Sequence, residues 1–260
     1  MVTLIRSTKP GSDWKSNELL AYNITVTSQD VATFFGNPTL PPSSLHRVIL
    51  ENEIYPPGGI ADRDDRKFFF YLEPAMRNPP AEGIVEEFAA HLLGLLGYDD
   101  IVAGGRICRQ KHIPLFMCGG YTHAKSNVCV ANRNGKIFLL VQEQEEEEGV
   151  DPEAQLIAQA IAAFQYNNRL LLRIRKEPIR AKTIPGIITL GTTPTFYKIN
   201  VTQDLVDAME TAQYPEDPTT VHRLVPPVDD LDGLGRDGMQ PLNNRAVILG
   251  LFEAFKQFVD

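Results

Sequence analysis

The stretch from residue 126 to 145, Ser-Asn-Val-Cys-Val-Ala-Asn-Arg-Asn-Gly-Lys-Ile-Phe-Leu-Leu-Val-Gln-Glu-Gln-Glu, constrains this chain more than any other. Two short apolar runs flank Asn134-Gly135, the favoured centre of a two-residue type I′ hairpin turn. Asn127 stands at the mouth of the first strand, and Glu143 and Glu145 close the second. Glu82, 45 residues before Asn127, opens an amphipathic helix. Acidic and amide groups brought from a helix and two adjacent strands to one point are a common way to hold a hard divalent cation.

Periodicity organises the chain around that hairpin. From Ala81 to Leu96, Ile84, Val85, Phe88, Ala89, Leu92, Leu93, Leu95 and Leu96 recur at helical spacing, and Gly97 supplies the stop. Strands are expected at 105–109 with 112–118, then 126–132 and 136–143. Asp151-Pro152-Glu153 opens a second helix, with proline in the first turn and acids at the positive end of the dipole. Further on, Gly186–Leu190 and Thr195–Val201 read as a hairpin, Asp204–Ala212 as a helix and Leu242–Val259 as a closing amphipathic helix. Upstream, Tyr22–Thr27 alternates like a strand. Ser28 offers an N-cap for a short helix through Phe35 that Gly36 ends, and residues 67–77 lean helical. The segment 37–66 reads as an extended loop with one strand near Arg47–Leu50. Residues 213–240, rich in Pro, Asp and Gly, read as loop. Helix, strands, helix and further strands describe an α/β fold with a central mixed β-sheet flanked by helices.

With 33 acidic against 25 basic residues the net charge is −8, which argues against a generally basic nucleic-acid binder. A local basic groove stays open, since Arg169, Arg173, Arg175, Lys176, Arg180 and Lys182 cluster in sequence. No run approaches the roughly 20 apolar residues of a membrane span. The N-terminus lacks the long apolar segment of a secretory signal, so cytoplasm or nucleus is the expected location. Cys108, Cys118 and Cys129 match no zinc spacing and no disulfide framework, and are expected to act as small buried hydrophobes.

The helix, the hairpin and the helix after it together resemble the PD-(D/E)XK phosphodiesterases, the restriction-endonuclease-like superfamily. In that family a helix carries a Glu, a strand begins with an Asp, the next strand ends in Asp/Glu-x-Lys, and a helix follows. Glu82 stands at the helical Glu, Asn127 where the family Asp belongs, and Glu143-Gln144-Glu145 where Glu-x-Lys belongs. Gln155, Gln159 and Gln165-Tyr166 fall on the helix after the hairpin. The resemblance implies a single α/β domain over 1–260, a restriction-endonuclease-like core at 82–166, and N- and C-terminal additions, 1–78 and 183–260, packed on it. It further implies Mg²⁺ or Mn²⁺ held by Glu82, Asn127 and Glu143, with Glu145 in the lysine position and Gln159 completing a catalytic set for phosphodiester cleavage in DNA or RNA. A homodimer is a further expectation, because dimers are common in the superfamily. The whole chain is also similar to fungal, chiefly basidiomycete, proteins, a similarity that implies no function.

Two positions depart from the family pattern. Asn127 keeps an oxygen but loses the full charge of the main carboxylate, and Glu145 replaces Lys. Three readings therefore stand: a metal-dependent nuclease, a pseudo-nuclease that binds nucleic acid or protein without turnover, and a carbohydrate- or partner-binding protein.

Overall fold

A computed structural model describes residues 6–77, 80, 81, 83–144, 149–228 and 231–259. In chain order the elements are α1 (Ser16–Ala21), β1 (Ile24–Ser28), α2 (Val31–Phe35), α3 (Arg47–Glu51), α4 (Arg63–Ala75), α5 (Ile84–Leu95), β2 (Arg106–Met117), β3 (Gly120–Ala131), β4 (Ile137–Glu143), α6 (Pro152–Arg173), β5 (Ala181–Leu190), β6 (Thr193–Thr202), α7 (Gln203–Glu210), β7 (Thr219–Leu224), α8 (Leu231–Asp237) and α9 (Leu242–Phe255). The strands form one seven-stranded mixed sheet in the order β1-β7-β6-β5-β4-β3-β2. β1 lies parallel to β7 and β4 parallel to β5; the other neighbours are antiparallel. Parallel neighbours need a crossover, and α6 provides the one between β4 and β5.

Helices cover both faces. On one, Phe68 and Leu72 of α4, Phe88, Leu92 and Leu93 of α5, and Leu251, Phe252 and Phe255 of α9 pack on Val128, Val141, Ile187 and Phe196 of the sheet. On the other, Leu156, Ile157, Ile161 and Phe164 of α6 pack on Cys129, Leu140, Ile184 and Ile188. Each such Leu or Phe contributes about 1.5–3 kcal/mol on burial. α6 lies close to the sheet: a Cβ on Gly186 would come within 2.9 Å of a Leu156 methyl.

Three amides of α6 each clamp a strand or loop peptide from both sides. Gln165 accepts from Phe116 N at 2.9 Å and donates to its carbonyl at 2.8 Å. Asn167 does the same at Ile137 (2.9 and 2.8 Å), and Asn168 at Ile179 (3.0 and 3.0 Å). A planar carboxamide carries a donor and an acceptor side by side, so it copies the pairing edge of a neighbouring strand.

The structure corrects several sequence expectations. Arg47–Glu51 is helix rather than strand, with Ile49 buried. The stretch expected as loop between 213 and 240 contains β7, which pairs with both β6 and β1, and α8. The strands expected at 105–109 and 112–118 fall in one strand, β2, which keeps its register across a left-handed backbone at Gln110 (φ 49). The helix before Gly36 is capped by Asp30, whose side chain accepts from Thr33 N, and not by Ser28. At the hairpin, Gly135 has φ 86 but Asn134 is not left-handed, so the turn is not type I′. Asn132 Oδ1 instead accepts from the N–H groups of Asn134 (3.0 Å) and Lys136 (3.1 Å), which makes a wider loop with a register shift at Val130/Ala131.

Candidate functional site

β3 and β4 pair regularly from Val130↔Leu139 to Val128↔Val141, and there the ladder stops. Beyond it the carboxamide of Asn127 takes over: its Oδ1 accepts from the backbone N–H of Glu143 at 3.1 Å. The buried Ser126 hydroxyl meanwhile donates to the Val128 carbonyl at 2.8 Å. The two strands thus separate at the residues that the hairpin pattern singles out. On the other side of β4, Gln144 N still donates to the Thr189 carbonyl of β5 (2.8 Å).

Gln159 belongs to an adjoining, buried chain of amides. Its Nε2 donates to Gln142 Oε1 at 2.5 Å, and Gln142 Nε2 reaches the Glu143 carbonyl (3.0 Å) and Gln155 Oε1 (3.2 Å). Gln155 Nε2 in turn donates to the Ser12 carbonyl at 2.9 Å. Asn127 and Glu143 are therefore in direct contact, and Gln159 reaches them only through Gln142. Glu82 and Glu145 lie outside the described residues.

The start of α5 sits at the same level. Glu87 pairs with Arg109 at 3.0 Å, and Glu86, nearly buried, bonds Gln110. Arg109 is opposite Val128 in the β2–β3 register, one residue from Asn127. The carboxylates in the first turn of α5 are thus held by β2.

Mg²⁺ and Mn²⁺ take oxygen ligands, one or two of them protein carboxylates with waters completing the shell. Of the described residues at this level, Glu143 carries a carboxylate beside Asn127, while those of Glu86 and Glu87 are engaged by Gln110 and Arg109. The Asn127 oxygen already accepts a backbone N–H, and the polar groups around it are amides and hydroxyls. Among the described residues, one group of three His, Asp, Glu or Cys side chains lies at metal-ligand spacing, and it is elsewhere: His46, Asp62 and Asp65.

A feature that the sequence reading passed over runs from Asn127 outward along β2 and β3. From Ile101 to Gln142 the chain holds no Asp or Glu, but has six cations: Arg106, Arg109, Lys111, Lys125, Arg133 and Lys136. In a chain of net charge −8 that segregation was readable by counting charge in windows. On the inner face of the hairpin Ile113, Leu115, Met117 and Ala124 are buried against α6. On the outer face the pairs His112↔Lys125, Pro114↔His123 and Phe116↔Tyr121 follow one another. The His112 and His123 rings are 5.3 Å apart, the Phe116 and Tyr121 rings 4.7 Å, and Tyr121 is 75 % exposed. This face is open and aromatic at its tip, with Lys125 nearer Asn127; of the other cations, Lys111 lies over the Tyr166 ring of α6 and Arg109 pairs with Glu87. Phe116 and Tyr121 also border a cleft of about 600 Å³ with Arg169 and Arg180, two of the clustered cations, but Glu177, Asp207 and Glu210 line it too, so it is not a cationic groove.

The cysteines are not equivalent. Cys108 and Cys129 are directly opposed across β2 and β3. A hydrogen bond from Cys129, helped by Arg106 and Lys111, lowers the half-buried Cys108 thiol to about 6, whereas the buried Cys129 thiol is pushed up. Cys129 fits the expected buried hydrophobe and Cys108 does not.

Neither a protein-family model nor a curated protein matches this chain.

Proposed function

We propose that this protein binds single-stranded nucleic acid along the outer face of the β2–β3 hairpin, on a nuclease-like α/β core. The open face that ends in the Phe116–Tyr121 pair, on a stretch of chain without Asp or Glu from 101 to 142, carries this reading. Sequence-tolerant binding of single strands combines aromatic faces, on which bases stack, with cations that follow the backbone. Here Tyr121 and Phe116 supply the first and Lys125 the second, with His112 and His123 beside it as hydrogen-bonding groups. The order α5, β2, β3, β4, α6 is the one that the resemblance to PD-(D/E)XK proteins implies, and the contact between Asn127 and Glu143 supports that kinship. Asn127, an amide at the position of the family's main carboxylate and already engaged by the Glu143 N–H, favours binding over hydrolysis.

Fluorescence anisotropy with a labelled single-stranded oligonucleotide, DNA and RNA in turn, tests the proposal at low and moderate salt. Binding is expected to weaken as salt rises. Tyr121→Ala should weaken it about 5- to 150-fold, the range that corresponds to one lost base stack. Lys125→Ala should flatten the salt dependence, and Glu143→Gln should leave affinity unchanged. No binding at low salt, or affinity indifferent to both Tyr121→Ala and Lys125→Ala, overturns the reading. The contact of Asn127 with Glu143 also favours a second reading, Mg²⁺- or Mn²⁺-dependent cleavage. Oligonucleotide cleavage that disappears in Glu143→Gln would put it first.

A further inference from the structure

Where the chain enters α3 and again where it enters α4, three side chains converge. His46 precedes the first residue of α3, Asp62 caps α4, and Asp65 lies in its first turn. One ligand atom from each, a ring nitrogen and two carboxylate oxygens, lies within 4.8 Å of the others. Asp62 Oδ1 accepts from the N–H groups of Asp64 (2.8 Å) and Asp65 (3.0 Å), which fixes that carboxylate. His46 Nδ1 stands 2.9 Å from Asp65 Oδ2.

Asp65 supplies a second and independent observation. The residue is 3 % exposed, and its Oδ1 has no hydrogen-bond partner among the described residues. A buried carboxylate oxygen without a donor is costly, and native structures usually satisfy it with a hydrogen bond or a cation. The His46 side chain is by contrast 69 % exposed and Asp62 is exposed, so the group is open to solvent on one side. The positive end of the α4 dipole disfavours a cation here, and two carboxylates offset it.

We propose that His46, Asp62 and Asp65 bind one divalent transition-metal ion, zinc before others, with water completing its coordination. An imidazole with two carboxylates suits Zn²⁺, whereas Mg²⁺ and Ca²⁺ prefer all-oxygen sites. Three protein ligands leave a position open, and two carboxylates balance the charge of the ion. Bound there, the metal ties the start of α3 to the start of α4. The inference is independent of the nucleic-acid reading.

The test is a calorimetric titration of the untagged, chelator-treated full chain with zinc chloride, together with a count of bound zinc after dialysis. One equivalent with saturable binding is expected. Asp65→Asn and His46→Ala should each weaken binding by at least about tenfold. Asp65→Asn is nearly isosteric and His46 is exposed, and an unchanged circular-dichroism spectrum verifies that each variant folds. Glu143→Gln and Cys108→Ser should keep the equivalent. No saturable binding, an affinity unchanged in both His46→Ala and Asp65→Asn, or loss of the equivalent in Glu143→Gln or Cys108→Ser overturns the proposal.

Discussion

Arg245 shows how far one residue can depart from what its type suggests. It lies on α9, is 1 % exposed, and directs its guanidinium to the carbonyls of Met239 (2.8 Å), Ile49 (2.5 Å), Asn52 (2.5 Å), Glu53 (3.0 Å) and Gln240 (3.2 Å). Phe68 and Phe69 lie against it, 5.3 and 5.8 Å from the guanidinium carbon, and burial lowers its pKa to about 10. A planar fork of five N–H groups can satisfy converging carbonyls that an ammonium with three donors cannot. Arg245→Ala strands buried carbonyls that each cost about 1–3 kcal/mol when left without a donor, so a loss of at least about 3 kcal/mol is expected. Arg245→Lys should recover only part of it, as urea denaturation of the two variants would show. In the sequence Arg245 looks like the polar face of an amphipathic helix, because nothing local marks the carbonyls of residues 49, 52 and 53 as its partners. The proximity of Asn127 to the Glu143 backbone was legible for the opposite reason: the two flank one local hairpin, so it follows from strand pairing alone.

At the scale of elements, β6 and β7 set two basic residues face to face: Lys198 and His222 are direct partners in the register. Burial lowers the His222 pKa below its ordinary 6.5, and the nearby Lys198 charge lowers it further. Lys198 is itself lowered by burial, and lies over the Phe34 and Phe258 rings. The folded state therefore holds His222 neutral where the unfolded chain begins to protonate. The unfolded state binds more protons in that window, so stability rises with pH across it and is lost as pH falls below about 6.5. Like charges directly opposed across a strand pair add to the loss. The drop in urea midpoint between pH 7.5 and 5.5 is expected to be smaller in His222→Gln than in the native chain. None of this pairing was readable, because β7 is a six-residue strand among prolines and aspartates, and its composition looks like loop. Long elements behaved differently: α5, α6 and α9 announce themselves through several turns of apolar spacing, while the five-residue α3 has too few residues for its period to be told from alternation.

Across the whole molecule the resemblance divides the chain in one way and the sheet in another. β1 comes from the N-terminal portion and pairs with β7 from the C-terminal portion, while β4 finds its parallel neighbour in β5, beyond residue 166. The N-terminal segments also meet α9 directly, through Phe34 on Phe255 and Ser44 on Glu253 (2.6 Å). A fragment limited to residues 82–166 leaves β4 without β5, and α5 without α4 and α9. It is expected to lack a cooperative fold, and a narrow amide region in its ¹H–¹⁵N spectrum would show this. Such long-range closure leaves no local trace: the mixed α/β class was legible from the order of elements, but the partnership of the first and last strands was not.

One consequence follows from how α6 treats the outer margin of the sheet. A terminal strand with unpaired peptide groups can recruit a strand from another molecule, and fibrous association begins that way. On β2 the Phe116 peptide is occupied by the Gln165 carboxamide, Arg169 covers the Pro114 oxygen at 2.8 Å, and Pro114 has no N–H to offer. An incoming strand would have to displace side chains anchored on a buried helix. Around Pro114 and Phe116 this margin is therefore guarded against the addition of a strand from a second molecule.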